Sequence, residues 1–147
     1  MIILRIVICC IGNELQGDDA FGILVYRKLK DVVKEEAVIL NCGTVPENYL
    51  GKIVDLKPDL VIFVDAVDFG GKPGEIIMAD PEETMGEAMS THNLPLKVLT
   101  NFIKKNTNAK VILIGCQPKD IGLFMEVSKE VREAVDKAFN YIIKLLS

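Results

Sequence analysis

The chain predicts an α/β fold: a three-layer α/β/α sandwich around a mostly parallel, twisted central sheet. Three features predict it. Short apolar runs at residues 2–11, 60–65 and 111–114 are continuous rather than alternating, as strands buried on both faces are. Segments with apolar residues at three- and four-residue spacing lie between them, as helices covering a sheet do. Glycine, proline and acidic residues punctuate the ends of the runs, where the chain must turn.

Taken in order, residues 2–11 predict a buried first strand and residues 12–18 a polar loop. A helix follows over 20–34, because Phe21, Leu24, Val25, Leu29, Val32 and Val33 recur at helical spacing while Lys28, Lys30, Asp31 and Lys34 mostly face water. Asp18 or Asp19 caps it. Residues 37–40 read as a second short strand. Thr44 and Glu47 have capping-box spacing, so a helix runs to about Asp55, where Lys57-Pro58 stops it. The third strand, 60–65, ends on Asp65. Glycine-rich 70–74 makes a turn, and 75–79 a strand suited to a sheet edge. Residues 81–92 carry no clean period and read as a loop with a short helical turn. Leu96, Leu99, Phe102 and Ile103 mark a helix, 111–114 the last strong strand, and 128–146 a final helix capped by Ser128. Its stripe is Val131, Val135, Ala138, Ile142 and Leu145.

At 147 residues, half of them apolar and 26% charged, the chain is expected to fold as one domain over 1–147 with a real core. A net charge of -4 gives no electrostatic reason to seek nucleic acid or anionic lipid. The apolar first eleven residues are too few to span a bilayer, are interrupted by Arg5, and end without a small-residue cleavage site. A soluble, cytoplasmic protein is the expectation. Cys9, Cys10, Cys42 and Cys116 show no CxxC spacing and lie on apolar runs, so reduced, buried thiols with no disulfide are expected.

In open α/β sheets ligands bind beyond the carboxyl ends of the strands. Functional residues should therefore sit at 12–19, 41–47, 65–70, 91–93 and 115–118. Asp65 stands at such an end, with Asp68 three residues on as a competing acid. Asp18 and Asp19 are adjacent acids at one helix start, more than a single cap needs. His92, the only histidine, lies in a polar segment before a helix. Two carboxylates and one histidine suit a divalent transition metal and leave a position open for water or substrate, without separating zinc from nickel. Other chemistries lack their residues. The loop GNELQGDDAFG is not G-x-G-x-x-G, and its acids would repel a pyrophosphate; there is no P-loop, no G-x-S-x-G and no H-E-x-x-H. A cysteine–histidine pairing is open only through Cys42 or Cys116. From the residues alone, a metallohydrolase of a small molecule and a non-enzymatic nucleotide- or flavin-binding module both stay open.

Five segments, in order along nearly the whole chain, carry a resemblance: GNELQGDDAFG from Gly12, FVDAVD from Phe63, Pro73-Gly74-Glu75, THNLPL from Thr91, and Gly115-Cys116-Gln117-Pro118. Together they resemble the hydrogenase maturation protease family, nearest to the branch serving formate-hydrogenlyase-type [NiFe] hydrogenases. The resemblance implies a cytoplasmic endopeptidase that removes the C-terminal extension of a hydrogenase large-subunit precursor after nickel insertion. It implies nickel carried by that precursor, with a hydrogenase chaperone as a further partner. The family's metal-contacting and catalytic positions fall on Asp19, Asp65 and His92, with Asp18 as a cap or supporting neighbour. Ala20 stands where many relatives have glycine. Gly43 and Gln117 are placed to contact substrate backbone. Asp65 and His92 are expected to border a solvent-filled cleft, so that replacing either leaves stability nearly unchanged.

Overall fold

The computed structural model describes residues 4–84, 89–90 and 95–147, and in it the apolar runs become the middle of a sheet. The strands are β1 (Ile6–Ile11), β2 (Val38–Gly43), β3 (Leu60–Asp68), β4 (Ile76–Ala79), β5 (Met89–Ser90) and β6 (Lys110–Cys116). The helices are α1 (Phe21–Lys30), α2 (Leu50–Asp55), α3 (Pro81–Thr84), α4 (Leu96–Asn106) and α5 (Lys129–Leu146), with 3-10 turns at Gly17–Ala20 and Pro46–Tyr49. The strand order is β2-β1-β3-β6-β4, with β5 added to the end of β3. β2, β1, β3 and β6 are mutually parallel; β4 and β5 run antiparallel to their neighbours.

The pleat sorts the core into two layers. Ile6, Ile8, Cys10, Ile62, Val64, Ala66 and Ile114 point to one face, where they meet Phe21, Val25 and Leu29 of α1 and Val131, Val135, Ala138 and Ile142 of α5. Val7, Cys9, Ile11, Val61, Phe63, Val67 and Leu113 point to the other, against Ile53 of α2 and Leu96, Leu99 and Ile103 of α4. This is the expected three-layer sandwich. α1 follows β1 on one face and α2 follows β2 on the opposite face, so the connections diverge between β1 and β3. That is the topological switch point, where open α/β sheets characteristically bind ligands. α1 can lie this close only because of Gly22: a Cβ there would stand 2.1 Å from the Ile11 carbonyl oxygen and 2.5 Å from that of Val64.

Several local expectations are corrected. The first helix begins as a 3-10 turn with no side-chain cap, because both acids bond elsewhere; it ends at Lys30, leaving Val32 exposed. Thr44 and Glu47 form no capping box: the turn starts after Val45 without a side-chain cap. β3 extends to Asp68, three residues past the apolar run. The helical turn expected within 81–92 is α3, and Met89–Ser90 of the same stretch form β5 against the end of β3. Ser128 does cap α5, its hydroxyl accepting from the Val131 N–H. Cys9 and Cys42 form a disulfide, contrary to expectation, with Cα atoms 6.1 Å apart. Neighbouring parallel strands put both on one face of the sheet, within ordinary disulfide reach. Among the described residues no helix is long and apolar enough to cross a membrane.

Candidate active site

The loop after β1 is built around its own backbone. The Asn13 N–H donates to Asp19 Oδ2 (3.0 Å) and to the Asp19 carbonyl (3.2 Å); the Asp19 N–H donates to the Gln16 carbonyl (3.0 Å). Asn13 Oδ1 accepts from the Leu15 N–H (2.9 Å). Asp19 is thereby held at 2% exposure, in a turn packed against β3.

Asp65 lies on β3 just beyond the last β1–β3 pair, Cys10 with Val64, and opposite Gly115 of β6. By the pleat it shares the face of Phe63 and Val67. It is fully buried, at 0% exposure. That burial departs from the expectation that it borders a solvent-filled cleft. Both acids sit at the switch point, one in the loop leaving β1 and one on β3. His92 lies outside the described residues. Ser90, two residues before it in the sequence, pairs with Val67, two residues after Asp65. Among the described residues no three of His, Cys, Asp and Glu converge as a metal site.

Asp18 has a different task. Its Oδ1 accepts from the Ser128 N–H (2.7 Å). Its Oδ2 accepts from the Lys119 N–H (2.8 Å), the Asp120 N–H (3.3 Å) and the Ser128 hydroxyl (2.9 Å). Fully buried, it clasps the segment between β6 and α5 to the Asp19 loop. No local signal in the sequence could reveal this, because its partners lie 101 to 110 residues away.

Asp68 serves a turn. Gln117 Nε2 and the Gly70 N–H each donate to its Oδ1 (3.1 Å), in that order holding its carboxyl below the ordinary value of 3.8. Gln117 Oε1 accepts from the N–H groups of Phe69 (2.9 Å) and Gly71 (3.1 Å). Gln117 thus ties its amide to the 68–71 turn. Gly43 likewise donates its N–H to Asn41 Oδ1 (3.1 Å), and its carbonyl accepts from the Gly12 N–H (2.9 Å). The thiols are poor nucleophiles: Cys42 is in the disulfide, and burial, then the charge of Asp18, pushes Cys116 up to about 12. Burial raises Cys10 as well. Among the described residues, a depression at the amino-terminal end of the sheet and another beside β4 both lie away from Asp19 and Asp65.

The fold is a doubly wound α/β sheet with two buried carboxylates, Asp19 and Asp65, at its switch point. The family model for HycI, hydrogenase maturation protease, matches residues 23–145. The hydrogenase 3 maturation protease of Escherichia coli K12 is 34% identical over 134 residues, covering 90% of this chain and 85% of that protein. The crystal structure of a [NiFe] hydrogenase maturation protease HycI from Thermococcus kodakarensis KOD1 superposes with a TM-score of 0.89 at 53% identity, covering 97% of this chain and 92% of that one. The solution structure of an endopeptidase HycI from Escherichia coli gives a TM-score of 0.83 at 34% identity, covering 93% and 88%. The chain belongs to the hydrogenase maturation protease family, and the activity these relatives support is that of a protease.

Proposed function

We propose that this protein is the cytoplasmic endopeptidase that removes the C-terminal extension of a [NiFe] hydrogenase large-subunit precursor after nickel insertion. The observation carrying the proposal is the pair of buried carboxylates, Asp19 and Asp65, at the switch point of a chain in this family. His92 completes the set. The donor chemistry fits: carboxylate and imidazole suit a nickel ion that arrives as part of the substrate. Asp19 keeps one oxygen on the Asn13 N–H, which orients the carboxylate. When present, the precursor's nickel reports that insertion is complete and fixes the scissile bond beside the acids. In cleavage, a carboxylate accepts a proton from water, the resulting hydroxide adds to the scissile carbonyl carbon, and the carboxylic acid so formed returns the proton to the departing amine as the C–N bond breaks.

The test is incubation with nickel-loaded and nickel-free precursor, read by the mass of the released peptide. Wild type cuts only the loaded form. Asp65→Asn and His92→Ala abolish release, and Asp19→Glu retains part of it. Circular dichroism on each variant separates lost chemistry from lost fold. Wild-type-like cleavage by a folded His92→Ala variant would overturn the site assignment.

A further inference from the structure

The segment between β6 and α5 turns apolar side chains outward next to the acid loop. Phe124 is 76% exposed and Leu123 60%; Ile121, Met125 and, from the β1 loop, Leu15 are also exposed. Scattered surface apolar residues need no explanation, but a contiguous group beside a site does. The five are joined by backbone. The Phe124 N–H donates to the Leu15 carbonyl (2.6 Å), and a Cβ on Gly17 would stand 2.5 Å from the Asp120 carbonyl oxygen and 3.2 Å from Met125 Cβ. Asp18 bonds Lys119, Asp120 and Ser128 on either side of the patch. Phe124 adopts φ 61°, a left-handed conformation that a bulky residue rarely takes without a surrounding structure that imposes it. The chain holds an aromatic ring out toward solvent on a clamped support.

We propose that Leu15 and the 121–125 segment form the docking surface for the folded body of the precursor subunit, seating an apolar patch of that body while its C-terminal segment enters the site. The inference rests on the function proposed above. Continuity argues for this occupant. A protease touches its protein substrate at its acids, and Leu15 shares the loop of Asp19 while Asp18, its neighbour, carries the rest of the patch. A body presenting its tail to Asp19 and Asp65 passes over these side chains. A few well-packed, desolvated anchors, large side chains prominent among them, carry most of the affinity of protein interfaces.

The experiment uses Phe124→Asn, which suits the left-handed backbone, and Leu123→Ser, with the nickel-loaded precursor as probe. Surface plasmon resonance reads affinity, steady-state cleavage reads KM and kcat, and light scattering reads the oligomeric state. Each variant should melt with wild type, bind the precursor at least tenfold more weakly and raise KM by a similar factor, leaving kcat within about twofold. Wild-type affinity and KM in the variants, with wild type cleaving normally, would overturn the docking surface alone. So would variants that lose only self-association, which would assign the patch to a second copy. Wild type that neither binds nor cuts the precursor would overturn the proposed function itself and the docking surface with it.

Discussion

Replacing Asp18 by alanine leaves three backbone N–H groups and one hydroxyl without the carboxylate they share. The four bonds run from 2.7 to 3.3 Å, and the acceptor is fully buried. Hydrogen bonds to a charged group contribute about 1.5–3 kcal/mol each, which sums to roughly 6–12 kcal/mol. The sum overstates the loss, because four bonds to one group are not additive and the exposed 119–121 backbone can turn to water. Ser128 is less free: its hydroxyl also accepts from the Val131 N–H (3.3 Å), so the cap of α5 loosens with it. The expected destabilisation is about 3–4 kcal/mol, well below that sum and large for a single substitution. Asp18→Asn keeps an acceptor where Oδ2 stood but sets an NH2 group against the Ser128 N–H, so about half that loss is expected. Urea unfolding measures both, and amide hydrogen exchange at Lys119, Asp120 and Ser128 locates the effect. An alanine variant within about 1 kcal/mol of wild type, with those amides still protected, would refute the clasp.

Gly22→Ala should lose roughly 3 kcal/mol or more and all processing, since the new methyl meets backbone on both β1 and β3 that no rotamer change can move; an intact melt would contradict the packing. Lys104 donates to Asp80 (2.6 Å) and Glu82 (3.0 Å), tying α3 to α4. Asp80 is lowered from 3.8 although burial opposes it, Glu82 is lowered from 4.5 chiefly by Lys104, and Lys104 is raised from 10.5. The carboxylates therefore contribute above their ordinary values and lose that contribution as pH falls through the lowered ones. The lysine contributes below 10.5 and loses it as pH rises through its raised value. The melting difference between wild type and Lys104→Met should be level across neutral pH and shrink beyond both limits; a difference that peaks outside that window would refute the linkage. Thiol labelling of denatured protein should find two thiols before reduction, Cys10 and Cys116, and four after it; four before reduction would remove the Cys9–Cys42 bridge.

Much of the architecture is legible in residue order because it is local. The unbroken apolar runs mark strands covered on both faces, and helical spacing in 131–142 marks the stripe of α5 that is buried. Asp65 is legible for the same reason: a carboxylate closing an apolar run must emerge near a strand's carboxyl end. Asp19 is harder, since its neighbour Asp18 is an identical residue in an equivalent local setting. Only the resemblance to a family separated them beforehand. The structure separates them physically, giving Asp18 to a distant loop and leaving Asp19 on its own loop beside β3.

What the sequence determined by itself, then, was the kind of layer each segment belongs to and the end of the sheet where Asp19 and Asp65 gather. Those follow from side-chain periodicity and from where an apolar run stops. Tertiary structure alone decided the strand order that makes β1 and β3 neighbours, the burial of Asp65, the pairing of Cys9 with Cys42, and the apolar surface that Asp18 holds beside the acids. Each of these depends on which distant segments meet, and a residue's chemistry does not record the partner that folding brings to it.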